Sequence, residues 1–159
     1  MENQELKKLA LALINQQSTM TLATAHGDTA WAAPVYYVFY KSAFFFFSDP
    51  ASRHIVEAMG SGEASAAIYP YADTWKGIQG IQMTGRIRQL GPGFTAVQAV
   101  GAYVKKFPFT ADFFETGQAL NFDNITKHFK VRFYSLEPRI VYYLDNQIEF
   151  GFREEIILL

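Results

Sequence analysis

The sequence predicts a mainly β protein, a small antiparallel barrel with helices packed on its outside. About eight short segments rich in β-branched and aromatic residues are separated by turn residues. Only two or three segments have helical spacing, and strands and helices do not alternate as they do in a parallel fold. With 159 residues, half of them hydrophobic, the chain fits one domain, residues 1–159, around one core.

The first half of the chain predicts a helix followed by three strands. A surface helix is predicted within residues 1–17, because apolar residues recur there at helical spacing: Leu6, Leu9, Ala10, Leu13 and Ile14. Segments 19–25, 30–40 and 43–48 predict strands joined by short turns in a meander. Pro34 lacks an N–H donor, so we expect its strand at an edge, at a bulge, or covered by something other than a strand.

A short helix is predicted within residues 48–62, between a Ser-Asp-Pro start and a glycine end. In this helix Ile55, Val56 and Met59 are expected to face the core.

The second half of the chain predicts further strands and one longer helix. Strands are predicted at 63–71 and 78–90, and a helix at 94–107. Residues 108–128 are predicted to be irregular, with a short helix within them as the alternative. The segment 130–152 predicts three strand runs, broken at Glu137-Pro138 and at Asp145-Asn146.

Composition excludes several classes of function. A formal net charge of -1 supplies no basic footprint for nucleic acid. The chain has no cysteine, which excludes disulfides and thiolate chemistry and fits a cytoplasmic protein. Its longest apolar run, 35–47, is interrupted by Lys41 and Ser42, so no membrane span is expected. The three histidines lack partners at metal-ligand spacing, so no metal site is expected.

One polar cluster has the composition of an anion site. Ser48, Ser52, Arg53 and His54 stand where a predicted strand ends and a helix begins. Helix N-termini favour anions, arginine adds a bidentate fork, and serine adds hydroxyl donors. The alternative is that Ser48 only caps the helix and Arg53 is only a surface charge.

The aromatic residues admit both a structural and a ligand-binding interpretation. Phe44 to Phe47 are best explained by burial in the core and in a dimer interface. An aromatic pocket wall would more readily come from Trp31, Tyr36 and Tyr37.

Together these motifs resemble the FMN-binding split-barrel superfamily, which includes pyridoxamine 5'-phosphate oxidase. The matching segments are TLAT, PVYY, FFFFS, SRH, IQMTGRIRQL and EPRIVYYLDNQIEFGFR, within residues 19–153. The chain looks nearest to the compact YhbP-like group. The resemblance implies a six-stranded antiparallel split barrel that forms a homodimer, with two FMN sites at the subunit interface.

The resemblance also implies which residues hold FMN. The strand of residues 34–37 would pass along the flavin ring, largely through its backbone, while polar side chains would hold the phosphate and reach the pyrimidine edge. The implied set is Pro34, Val35, Tyr36 and Tyr37 at the ring, Ser48, Ser52, Arg53 and His54 at the phosphate, and Gln79 and Gln82 at the pyrimidine.

Departures from the oxidase pattern change the expected substrate. His54 replaces a lysine at the phosphate. Tyr143 takes a tryptophan position and Arg153 keeps an arginine, and both are candidates for substrate or cross-interface contact. Glu149 and Gly151 replace the arginine and histidine that hold the oxidase's substrate, and an acid there opposes phosphate binding.

We therefore expect a flavin-dependent oxidoreductase acting on a small molecule other than pyridoxamine phosphate, with no identified catalytic side chain. Three alternatives stay open: a non-catalytic flavin binder or sensor, a split barrel that binds haem or a deazaflavin, and a structural dimer with an empty groove.

Overall fold

The computed structural model describes residues 3–113 and 122–158. Within them, one antiparallel sheet of eight strands curls into a half-barrel, in the order β2-β1-β5-β6-β7-β4-β3, with β8 also paired to β7. The strands are β1 (Thr19–His26), β2 (Thr29–Tyr36), β3 (Val38–Tyr40), β4 (Ala43–Ser48), β5 (Glu63–Ile68), β6 (Gln79–Leu90), β7 (Arg132–Asp145) and β8 (Arg153–Glu155).

Helices flank this sheet, which confirms the predicted fold class. They are α1 (Asn3–Gln16), α2 (Arg53–Ser61), α3 (Phe94–Lys106) and α4 (Phe122–His128), with single 3₁₀ segments at Trp75–Gly77 and Pro108–Phe113. The described sheet has eight strands where the resemblance implies six, so that count is not confirmed; β3 and β8 have three residues each and the other strands six or more. No described helix has the length and apolarity needed to cross a membrane.

The predicted strand 30–40 is two strands, because the chain turns at Tyr37. Its N–H donates to the Ser18 carbonyl at 3.1 Å, and its buried hydroxyl donates to the Ile14 carbonyl at 2.6 Å. With the ring anchored in the core, β2 pairs with β1 while β3 pairs with β4, at opposite edges of the sheet. The expected meander is therefore two hairpins, and Pro34 lies on an edge strand as predicted.

The expected break at Glu137-Pro138 is absent, because β7 bulges there instead. Thr84 of β6 faces Ile140 and Gly85 faces Pro138, which leaves one residue of β7 unpaired. A Cβ added at Gly85 would lie 2.8 Å from Pro138 Cα, so only glycine lets the two backbones approach this closely. β7 continues past Pro138 because the residue opposite it on β6, Gly85, has no side chain.

The row of phenylalanines is buried on both faces of β4. Phe44 and Phe46 enter the main core inside the curled sheet, which α1 closes. Phe45 enters a second core beneath α3, where Phe47 packs against Tyr103 with ring centroids 5.1 Å apart. Within one chain Phe44, Phe45 and Phe46 are therefore buried and Phe47 is half-buried.

Helix α2 begins later than its predicted segment and buries a narrower face. Ser52 is its N-cap residue, and Gly62 ends it in the left-handed conformation, with φ 76°. Ile55 and Ala58 are buried, whereas Val56 and Met59 are exposed, so the expectation for the latter two was wrong. Ile55 and Ala58 lie three residues apart on the face that packs on the sheet, and Val56 and Met59, one position further along in each case, are turned toward the margin of that face.

Candidate functional site

Three of the predicted phosphate ligands meet where β4 ends and α2 begins. The Ser48 hydroxyl lies 2.8 Å from Nε2 of His54 and 3.3 Å from the Ser52 hydroxyl. The same His54 nitrogen lies 3.3 Å from the Ser52 hydroxyl. We call Ser48, Ser52 and His54 the hydroxyl-imidazole cluster.

The protons of this cluster are partly assigned by its surroundings. Ser52 donates its hydroxyl proton to the Asp49 carbonyl at 2.7 Å, so within the cluster its oxygen is an acceptor. Burial lowers the pKa of His54, which favours the neutral imidazole in the absence of an anion. An anion placed here would reverse that preference, since it favours the imidazolium.

Arg53 lies beside the cluster, and its guanidinium contacts two side chains outside it, Glu57 and Trp31. Its Nε donates to Oε1 of Glu57 at 2.7 Å, and its guanidinium carbon lies 4.5 Å from the centre of the Trp31 ring. The other oxygen of Glu57 accepts the Thr24 hydroxyl at 2.7 Å. Hydrogen bonds from Thr24 and Arg53 lower the pKa of Glu57, so this carboxyl is ionised.

A groove of about 950 Å³ runs between the β1–β2 hairpin and α2. Arg53 and Glu57 line it together with His26, Thr29 and Ser61. Of the predicted phosphate ligands, Arg53 is the one that lines this groove, while Ser48, Ser52 and His54 lie outside its lining.

The strand of residues 34–37 is at the edge of the sheet and alternates in exposure. Val35 and Tyr37 are buried, whereas Pro34 and Tyr36 face outward. Burial raises the pKa of Tyr37, whose hydroxyl is already used inside the core. The Tyr37 N–H and the Tyr36 carbonyl are also already bonded, so a ligand can reach only the other backbone atoms of this strand and its two outward side chains.

Gln82 and Arg153 lie on the outer face of the sheet. They line a second groove, of about 420 Å³, with Thr21, Ala67 and Tyr142. The Arg153 guanidinium lies 4.8 Å from the centre of the Tyr142 ring. This surface is separate from the hydroxyl-imidazole cluster within one chain.

Gln79 and Tyr143 meet at the far end of the sheet, on a buried carboxylate. The Tyr143 hydroxyl donates to Oδ2 of Asp145 at 2.7 Å, and the Gln79 amide donates to the same oxygen at 3.1 Å. Burial, then the bond to Asp145, raises the pKa of Tyr143. Tyr143 is 1% exposed, so in this conformation it offers no surface to a ligand.

Strand registers show how far apart these groups are. Ser48 pairs with Arg132 at the beginning of β7, whereas Gln79 pairs with Asp145 at its end. The hydroxyl-imidazole cluster and Gln79 of one chain are therefore separated by the length of β7. Sequence reasoning missed Asp145, Glu57 and Thr24. Local spacing could have indicated the first two, since Asp145 is two residues after Tyr143 in one strand and Glu57 is four residues after Arg53 in one helix, whereas only the fold brings Thr24 to Glu57.

Solved structures with this fold bind different cofactors. A haem-binding protein from Mycobacterium smegmatis aligns with a TM-score of 0.70 and 16% identity, over 98% of this chain and 57% of that one. An FAD-binding protein from Mesorhizobium loti aligns with a TM-score of 0.64 and 14% identity, over 84% of this chain and 88% of that one. A putative pyridoxamine 5'-phosphate oxidase from Listeria innocua aligns with a TM-score of 0.64 and 13% identity, over 87% of this chain and 98% of that one.

The chain shares the fold of these proteins, among them the putative pyridoxamine 5'-phosphate oxidase, which confirms the fold implied by the resemblance found in the sequence. In sequence it is similar to a UPF0306 protein from Klebsiella pneumoniae (strain 342), with 23% identity over 140 residues, 87% of this chain and 84% of that protein. That similarity is consistent with the YhbP-like group. No protein-family model matches the chain.

Proposed function

We propose that the protein is a homodimeric FMN-binding oxidoreductase that acts on a small molecule other than pyridoxamine phosphate. One observation carries the proposal: Ser48, Ser52 and His54 converge within 2.8 to 3.3 Å of one another at a helix N-terminus, beside Arg53. Hydroxyls, an imidazole and a guanidinium at the start of a helix are donors suited to a phosphate.

The residues present fit the phosphate of FMN. Ser48 and His54 bond to each other, and the Ser52 hydroxyl donates to the Asp49 carbonyl, so a phosphate can replace these contacts with charge-assisted ones once the Ser52 hydroxyl rotates toward it. His54 would supply a positive charge once protonated, and Arg53 supplies a permanent one. The remaining N–H groups of the first turn of α2 add a favourable dipole.

The flavin ring is proposed to lie along the strand of residues 34–37. Pro34 has no N–H to leave unsatisfied at this open edge, and the outward side of Tyr36 can cover a ring face. When bound, FMN would supply the hydride or electron transfer, and the protein supplies binding, orientation and exclusion of water.

A second copy of the chain is proposed to cover the outer face of the sheet. The centre of that face carries small or uncharged side chains: Thr21, Ala23, Ser65, Ala67, Gln82 and Thr84. The ion pairs of Arg139 with Glu63 and of Arg88 with Glu137 lie toward one margin. A two-fold dimer through this face would bring Gln82 and Arg153 toward the partner's cofactor.

Haem is the second candidate ligand, favoured by the similarity to the Mycobacterium smegmatis haem-binding protein. The absorption spectrum of the purified protein separates the two candidates, because haem gives a Soret band and FMN gives a flavin envelope. Mass identification of whatever is released on denaturation then names the molecule.

Activity and site are tested separately. Reduction of bound FMN by NADH or NADPH, followed by turnover with an acceptor, supports the oxidoreductase proposal, whereas bound FMN with neither property indicates a flavin binder or sensor.

Replacing Ser52 and Arg53 with alanine should weaken FMN binding. The matched control is Arg88→Ala, which also removes an arginine paired with a glutamate. Unchanged FMN affinity in the folded double variant would refute the phosphate assignment.

A further inference from the structure

The guanidinium of Arg53 is restrained on one face and one edge. Trp31 covers its face at 4.5 Å, and Glu57 binds its Nε at 2.7 Å. Glu57 is itself held by Thr24 at 2.7 Å, and its side chain is only 8% exposed. Three side chains from β1, β2 and α2 therefore determine where this arginine points.

The restraint leaves the opposite edge of the guanidinium available. No described residue accepts a hydrogen bond from Nη1 or Nη2 of Arg53, and its side chain is 42% exposed. Those two nitrogens form the fork that binds phosphate oxygens in a bidentate manner. The contacts that hold the guanidinium use its face and its Nε atom, and they leave the two Nη atoms for a phosphate.

We propose that Trp31, Thr24 and Glu57 are positioning residues that hold Arg53 with its Nη edge toward the phosphate of the bound flavin nucleotide. The inference rests on the proposed FMN function and adds how the site selects a phosphorylated flavin over an unphosphorylated one. An unrestrained arginine loses conformational entropy when it binds a phosphate, because several of its side-chain torsions become fixed. A restrained arginine has these torsions fixed before the phosphate binds.

Glu57 is a poor choice of variant, because removing its charge also removes repulsion of the phosphate. Variants at Trp31 and Thr24 leave the charge of the site unchanged. Trp31→Leu removes the ring beneath the guanidinium, and Thr24→Val removes the hydroxyl that orients Glu57 at nearly constant volume. Trp31→Phe keeps a ring and should restore part of the effect.

The experiment measures the affinities of the full-length variants for FMN and for riboflavin, which lacks the phosphate. We expect Trp31→Leu and Thr24→Val each to lower the preference for FMN by about fivefold, or about 1 kcal/mol. Riboflavin affinity and the thermal midpoint should change little by comparison. A purely structural role would weaken both ligands alike and leave the preference unchanged.

The matched control is Trp75→Leu, since Trp75 is also exposed and has a cation, Lys76, 5.6 Å from its ring centre. It lies outside the proposed site and should leave the FMN preference unchanged. An unchanged preference in folded Trp31→Leu and Thr24→Val would overturn the positioning role, provided that Arg53→Ala lowers it. If Arg53→Ala also has no effect, the phosphate assignment itself fails, and the positioning role fails with it.

Should Trp31→Leu not fold, Trp31→Phe and Thr24→Val carry the test. An intermediate preference in Trp31→Phe supports the stacking role of the ring. A preference equal to that of the unmodified protein in both variants overturns the inference.

Discussion

Protonation of His54 should control how tightly the hydroxyl-imidazole cluster holds a phosphate. Without an anion, burial lowers the pKa of His54 below its ordinary value of 6.5, so the imidazole is mainly neutral at neutral pH. A phosphate bound at Nε2 would raise that pKa, because it stabilises the imidazolium. The bound state therefore holds more protons than the free state, and affinity must fall as pH rises between the two pKa values.

The size of the effect follows from the geometry of the cluster. Since Nε2 lies at hydrogen-bond distance from Ser48, a phosphate replacing that contact puts opposite charges about 4 Å apart, worth about 1 kcal/mol in water. With a phosphate charge of about −1.5 to −2, this lower limit becomes about 1.5 to 2 kcal/mol. That corresponds to more than a tenfold change in affinity.

The assay is a fluorescence titration of FMN and riboflavin from about pH 6.5 to about pH 8.5, where the phosphate is mostly doubly ionised. We expect the dissociation constant of FMN to rise about tenfold across this range, while that of riboflavin stays constant. In His54→Gln the FMN affinity should be weak and independent of pH. In His54→Lys it should be strong and nearly independent of pH. Parallel pH profiles for FMN and riboflavin in the unmodified protein would refute the reasoning.

Three further predictions concern the fold and the assembly. Gly85→Ala should lower the free energy of unfolding by about 3 kcal/mol or more, measured in urea, because the new Cβ meets the backbone of β7. Tyr37→Phe should cost about 1 to 3 kcal/mol in the same assay, since it leaves a buried carbonyl without its donor. Ala67→Glu, which adds a charge to the outer face of the sheet, should convert the proposed dimer to a monomer in sedimentation velocity.

Each of these predictions has a matched control. Gly101→Ala, in the exposed part of α3 with nothing within 4 Å of the new Cβ, should stabilise the protein by about 0.5 to 1 kcal/mol. Tyr71→Phe, at a side chain that is 88% exposed, should have little effect on stability. Thr95→Glu, on the exposed start of α3, should leave the oligomeric state unchanged. A dimer that survives Ala67→Glu would exclude the outer face as the interface.

Local pattern was enough to predict most elements of the fold. Strands β1, β4 and β6 and helix α3 begin and end within about two residues of their predicted positions, because alternation and helical spacing depend on near neighbours. The cluster of Ser48, Ser52 and His54 was also readable, since a strand end and a helix start adjoin it in the chain.

Contacts between distant segments decided the rest. The turn at Tyr37 exists because its hydroxyl finds the carbonyl of Ile14, and β7 runs past Pro138 because Gly85 lies opposite. Neither partner can be recognised from the segment that it alters.

Pattern along the chain predicts the fold class, and it places the serines, arginine and histidine of the candidate phosphate site next to one another. It also puts Glu57 one helical turn after Arg53, since the two are an i, i+4 pair in α2. Folding of the sheet adds the contacts that no local pattern contains, such as the Trp31 ring of β2 against the Arg53 guanidinium. The same strand pairing puts Gln79 and Ser48 at opposite ends of β7. Local structure follows from neighbours in the chain, whereas contacts between strands and helices depend on the curvature and pairing of the whole sheet.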